Sequence, residues 1–78
     1  MIKKKIFVGT IDNVKKLCAA ASDAKYDIDL VSGRYVIDAK SIMGIFSLDL
    51  SKKLDIRVHT DDKEAANVFF DKISRMVQ

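Results

Sequence analysis

The sequence predicts an α+β fold, an open-faced β-sandwich in which a four-stranded antiparallel sheet carries three helices on one face, in the order β-α-β-β-α-β-α. Three observations carry this expectation. Tyr26-Asp27-Ile28-Asp29-Leu30 and Leu54-Asp55-Ile56-Arg57-Val58 alternate apolar and polar residues strictly, the pattern of strands with one buried and one wet face. Val14, Leu17, Cys18 and Ala21 recur at helical spacing, as do Ala66, Phe69, Phe70, Ile73 and Val77. Each of these elements offers a single apolar face, so layering the helices over one side of the sheet buries them all with the fewest pieces.

The composition narrows the function classes. The 78 residues are read as one domain spanning 1–78, with 49% apolar and 32% charged side chains. There is no Pro and no Trp, and there are three Gly, which excludes collagen-like and low-complexity chains. No apolar run approaches the roughly 20 residues of a membrane span, so no membrane insertion is expected. Met1-Ile2-Lys3-Lys4-Lys5 begins like a signal peptide, but the apolar stretch that follows ends at Val8, so it reads as a mature N-terminus. Cys18 is the one cysteine; it excludes an internal disulfide and a thiolate zinc cluster, and it points to the cytoplasm. The 14 basic and 11 acidic residues give a net charge of +3. The bases are scattered among acids, without an Arg-rich stripe or RNP-type aromatics, and read as a solvated surface that makes no direct contact with nucleic acid.

The elements follow in order. Ile6, Phe7 and Val8 behind three lysines form a first strand over residues 3–9. Asp12 or Asn13 caps the first helix, whose apolar stripe is Val14, Leu17, Cys18 and Ala21 and which ends near Ser22–Ala24. Tyr26–Leu30 is the second strand, and Val31-Ser32-Gly33-Arg34 turns the chain tightly into a third strand over Tyr35–Ala39. Ser41 stands where an N-cap stands, ahead of a short helix in which Ile42, Ile45 and Phe46 share helical spacing. Gly44 inside it costs about 1 kcal/mol in propensity, so packing must hold this helix. Leu54–His59 is the fourth strand. Asp61 with Glu64 resembles a capping box for a last helix that runs to the C-terminus. The core is expected to contain Ile6, Val8, Leu17, Cys18, Ile28, Leu30, Ile56, Val58, Phe69, Phe70 and Ile73.

Few side chains suit chemistry. His59, the one histidine, falls at the end of the fourth strand on the wet face beside Asp55 and Arg57, and with a single thiol it makes no metal site. Asp27 and Asp29 share that solvated face and read as its polar residues, in a domain too small for a glycosidase-type cleft. Cys18, on an apolar stripe, reads as a small hydrophobe. No catalytic residue, cofactor or metal is assigned, and the chain is expected not to be an enzyme. The segment Lys40–Leu48 stands apart. Ile42, Met43 and Phe46 surround the capping Ser41, and a segment of this length cannot bury them all; Met43 and Phe46 are expected to be partly exposed. A phosphate on Ser41 would sit at a helix N-terminus, where free N–H groups favour negative charge.

The run Ser32-Gly33-Arg34-Tyr35-Val36-Ile37-Asp38-Ala39-Lys40-Ser41-Ile42-Met43-Gly44-Ile45-Phe46-Ser47-Leu48 resembles the region around the regulatory serine of the HPr phosphocarrier family of the bacterial sugar phosphotransferase system. Its Lys40-Ser41-Ile42-Met43-Gly44 core is similar to the version found in low-GC Gram-positive bacteria, and the resemblance covers roughly residues 21–77. It implies the HPr-like fold, a serine at 41 modified by HPr kinase/phosphorylase, and contacts of Ile42, Met43 and Phe46 with the kinase and a LacI-type transcription regulator; Lys40, next to Ser41 and placed to help hold a phosphate, completes the expected partner-binding set. The family's phosphoryl-carrying histidine lies in a Gly-(Ile/Leu)-His-x-Arg-Pro segment just before the first helix. The corresponding stretch, Val8-Gly9-Thr10-Ile11-Asp12-Asn13-Val14-Lys15, is shorter and has no His, Arg or Pro. The resemblance thus implies a non-catalytic regulatory protein like the family branch that keeps the serine without the histidine and serves catabolite repression. Two alternatives stand beside it: a phosphocarrier with a displaced acceptor, and an HPr-fold domain whose work is unrelated to sugar transport.

Overall fold

The computed structural model describes residues 1–78. The chain runs β1 (Ile2–Ile6), α1 (Ile11–Asp23), β2 (Ile28–Ser32), β3 (Tyr35–Asp38), α2 (Ile42–Phe46), β4 (Leu54–Val58) and α3 (Lys63–Lys72), and ends in a 3-10 turn at Ser74–Met76. The strands form one antiparallel sheet in the order β1-β4-β2-β3, as the expected α+β architecture requires.

The period-2 alternation decides the faces. Leu54, Ile56 and Val58 of β4 and Ile28 and Leu30 of β2 point to one side and are buried. There they join Val14, Leu17, Ala20 and Ala21 of α1, Ile45 of α2, and Ala66, Phe69 and Phe70 of α3 in a core cluster of 19 residues. Phe69 and Phe70 meet edge to face with ring centroids 5.3 Å apart. The opposite face is open. The registers lay rows across it: Lys3, Arg57, Asp29 and Asp38 in one, Lys5, Asp55, Val31 and Val36 in the next.

The turn between β2 and β3 is two residues, Gly33 and Arg34, with Ser32 opposite Tyr35. Gly33 has φ of +57° and Arg34 does not share the left-handed region, so the glycine supplies the one conformation a side chain would resist. Gly9 has a similar need, with φ of +75°, and the Phe7 ring lies over it; a Cβ there would stand 2.6 Å from Phe7 Cε2.

The structure corrects several local expectations. β1 begins at Ile2 and stops at Ile6; Val8 is buried beyond the strand, while Phe7 is partly exposed. α1 is capped by Thr10, not by Asp12 or Asn13. Thr10 Oγ1 accepts the Asn13 N–H at 3.1 Å, and the Asn13 amide turns back to donate to the Val8 carbonyl at 2.8 Å. Of the expected core only Cys18 falls short: it is partly buried and its Sγ bonds the Lys40 carbonyl at 3.4 Å. α3 is capped by Asp62, whose Oδ1 accepts from Glu64 and Ala65 N–H, so the anticipated box at Asp61 does not form. Asp61 instead holds the N-terminal ammonium at 2.6 Å. α3 also stops at Lys72. The tail leaves the helical course, buries Met76, and pairs with the free edge of β1 through an Ile6–Val77 bridge. Phe7 N–H donates to the Met76 carbonyl at 2.8 Å and Gln78 N–H to that of Lys5 at 3.0 Å, so the edge of β1 is closed by the chain's own end.

Candidate functional site

The capping role read for Ser41 holds. Its backbone is extended at φ of −96° and ψ of 106°, and its Oγ accepts the Gly44 N–H at 3.2 Å. The five-residue helix is too short to persist alone. Two further contacts fix it: the Ser47 hydroxyl closes the last turn on the Gly44 carbonyl at 2.6 Å, and Ile45 is wholly buried in the core. Gly44 has a steric reason. A Cβ at that position would lie 3.3 Å from Ser41 Oγ and 3.5 Å from Ile37 Cβ, so glycine leaves the capping oxygen its room.

With Ile45 inward, the other apolar side chains of α2 turn outward. Met43 is 75% exposed, Phe46 41% and Ile42 38%. Met43 and Phe46 sit as expected; Ile42, which shares the spacing of Ile45, stays at the rim. Ser41 and these three residues therefore occupy one surface, and Met43 is its most accessible and most adaptable member.

Lys40 is held from below. Its N–H donates to Asp38 Oδ1 at 2.9 Å, and its ammonium reaches the Ala24 carbonyl at 3.3 Å. That carbonyl lies at the negative C-terminal end of α1, a favourable place for a cation. Together with the Cys18 contact this fastens the start of α2 to α1. On the far side of α2, Gly9 N–H donates to the Leu50 carbonyl at 3.1 Å, which sets the segment leading into α1 against the segment leaving α2. Thr10, the residue immediately before α1, falls in the stretch Val8–Lys15 that the resemblance sets against the histidine segment, and its oxygen is spent on the helix cap.

His59 is elsewhere, on the open face of the sheet. Its Nε2 lies 2.7 Å from Asp29 Oδ2, and its backbone N–H donates to the Asp27 carbonyl at 2.9 Å. The sequence placed His59 on this face beside Asp55 and Arg57, but the Asp29 partner, 30 residues away, has no sequence signal. Tyr26 was also missed: its hydroxyl donates to the Ala65 carbonyl at 2.9 Å, and burial first, then the nearby Asp62 charge, pushes its pKa up from the ordinary phenol value. No group of three or more His, Cys, Asp or Glu side chains is placed to hold a metal ion.

Comparison with known proteins fits this geometry. The PTS-HPr family model, described as the PTS HPr component phosphorylation site, matches residues 12–78. The chain belongs to the PTS-HPr family. The matched span starts inside α1 and includes Ser41 and all of α2. No curated protein sequence matches the chain significantly. Among solved structures it is similar to HPr-C-His from Thermoanaerobacter tengcongensis, with 26% identity and a TM-score of 0.76 over 95% of this chain and 92% of that one. It is also similar to a phosphocarrier protein HPr from Bacillus anthracis, with 22% identity and a TM-score of 0.70 over 99% and 96% of the two chains. A third similar structure is the histidine-containing phosphocarrier protein from Mycoplasma, at 18% identity and a TM-score of 0.72 over 99% and 97%. At these last two identities the likeness carries the HPr fold alone. No helix of this HPr-family chain is long and apolar enough to cross a membrane.

Proposed function

We propose that this HPr-family protein is a non-catalytic regulatory module whose partner-binding surface is α2 and whose control is phosphorylation of Ser41. The observation that supports this most is the joint placement of Ser41 and the exposed apolar set Ile42, Met43 and Phe46 on one short helix. The Ser41 oxygen already accepts one helix N–H, that of Gly44, so a phosphate there meets a donor and the positive end of the peptide dipoles. It adds roughly two negative charges beside the apolar set. A partner with a basic patch around an apolar pocket then gains affinity for the modified form. HPr kinase/phosphorylase as modifier and a LacI-type transcription regulator as reader fit this chemistry and the family membership. Lys40, whose ammonium is engaged by the Ala24 carbonyl in the unmodified protein, joins the partner surface by releasing that bond.

Phosphoryl transfer through a histidine finds no support before α1, where Thr10 caps the helix and no histidine stands between Val8 and Lys15. The test is incubation with HPr kinase/phosphorylase and ATP, followed by mass, beside an HPr control. One added phosphate that is absent in Ser41→Ala supports the reading. An unmodified chain beside a fully modified control refutes it and leaves Ser41 as a helix cap.

A further inference from the structure

On the open face of the sheet the bases gather on β1 and β4, where Lys3, Lys5 and Arg57 stand against Asp55, while Asp29 and Asp38 lie on β2 and β3. Lys3 and Arg57 are direct cross-strand partners of β1 and β4 on that face, and like charges in this position repel. Lys5, two residues along, faces the same way and holds Asp55 at 3.5 Å. Arg57 has Asp29 as its neighbour on β2, but the Asp29 carboxylate is bonded by His59 at 2.7 Å. Arg57 and Lys3 therefore form no ion pair, and the Nε of Arg57 is buried without a hydrogen-bond partner. A buried, unpaired N–H on a charged group costs free energy unless something accepts it.

These residues surround a depression of about 360 Å³ lined by Lys3, Lys4, Lys5, Asp55 and Arg57, with no apolar lining residue. Lys4 is turned to the other side, its ammonium 4.8 Å from the Phe70 ring centroid. The charges left facing the depression are Lys3, Lys5 and Arg57 against Asp55, a surplus of two positive charges. We propose that this depression on the β1–β4 face is a binding site for a small phosphate dianion, free or as the monoester of a small molecule. The charge matches, and a phosphate offers several acceptor oxygens to cations arriving from two strands, where a carboxylate offers two. An anion between Lys3 and Arg57 converts their repulsion into two attractions, and it meets the buried Arg57 Nε–H only once that side chain turns outward. The site lies on the sheet face opposite the helices and does not depend on Ser41.

The experiment is a two-dimensional proton–nitrogen NMR titration of the full chain with inorganic phosphate, at constant ionic strength against chloride, repeated with glycerol 3-phosphate and with a short single-stranded oligonucleotide. Expected are saturable shifts at Lys3, Lys5, Asp55 and Arg57 with phosphate and with the monoester. Binding should weaken roughly ten- to a hundredfold in Arg57→Gln, the range for hydrogen bonds to a charged group. Lys3→Gln, at an exposed position of an outer strand, should weaken it in the same direction with the fold intact. Shifts that mirror chloride without saturating, or unaltered phosphate affinity in both variants, overturn the proposal. So does a response to the oligonucleotide with none to phosphate or its monoester.

Discussion

Removing the Ser41 hydroxyl tests how the candidate site is held in place. In Ser41→Ala the Gly44 N–H loses its acceptor at 3.2 Å, and nothing else at this end of α2 is positioned to replace it. Cap losses of this kind cost about 0.5–2 kcal/mol. The value here belongs to the lower half of that range, because Ser41 is exposed and water can take up the freed N–H. About 0.5–1 kcal/mol in a domain of this size lowers Tm by roughly 2–8 °C. The loss should be local in origin: Ile45 stays in the core, so the denaturant m-value is unchanged. Ser41→Asp is the control, since its carboxylate restores a cap acceptor and suits the helix N-terminus; it should melt near wild type and above Ser41→Ala. The assay is thermal and urea unfolding followed by circular dichroism. Wild-type stability in Ser41→Ala, or an Asp variant less stable than the Ala variant, would show that the cap does not hold α2 and that a phosphate at this position has no helix end to act on.

Three further outcomes are expected. Met76→Ala should cost about 2–5 kcal/mol in urea unfolding, because Met76 is 2% exposed and closes the core beneath the tail that pairs with β1. Asp62→Ala should destabilise the domain by about 0.5–2 kcal/mol, as it removes the acceptor of two N–H groups of α3, while Asp61→Ala shifts the thermal midpoint less. Asp49 should titrate below the ordinary carboxylate range by carbon-detected NMR, chiefly because the Ser51 hydroxyl and then its N–H bond the carboxylate; the stability this contributes is present above the unfolded value near 4 and fades as pH falls through the lowered folded value, and Ser51→Ala should move the titration back upward.

The sequence made the central sheet and the α2 cap legible because both are local patterns. Tyr26–Leu30 and Leu54–Val58 alternate residue by residue, so the buried faces of β2 and β4 follow largely from period, and Ser41 precedes its helix with no competing polar residue in the right place. Where several candidates stand close together, composition cannot choose. Thr10, Asp12 and Asn13 all carry a capping oxygen, and the choice fell to Thr10 because Gly9, at positive φ under the Phe7 ring, fixes where the extended backbone ends. Asp61 and Asp62 differ by one residue, and the N-terminal ammonium, 60 positions away, engages the first of them. The end of α3 was misread for a related reason. Val77 fits the helical stripe of Ile73, yet the unpaired edge of β1 offers backbone partners that a continued helix would forgo. The His59–Asp29 contact and the Arg57 deficit that follows from it depend on strand register, which no local pattern encodes.

Ser41 and Thr10 are both helix caps, but the proposed regulation rests on only one of them. Each is a hydroxyl residue at a helix N-terminus, and each accepts one N–H at nearly the same length, 3.2 Å and 3.1 Å. What differs is the surroundings. α1 is a long helix with Val14, Leu17, Ala20 and Ala21 in the core, so its position hardly depends on its cap. α2 has one fully buried side chain and five residues, so any change at Ser41 acts on a large share of what holds it. Glycine at 44 leaves free space around the Ser41 oxygen, whereas the chain before Thr10 is tied down through Gly9 to Leu50. Under the proposed phosphorylation, a charge added at Ser41 would meet a marginal helix that also carries the exposed Ile42, Met43 and Phe46. The same charge at Thr10 would meet a helix that its core contacts have already fixed.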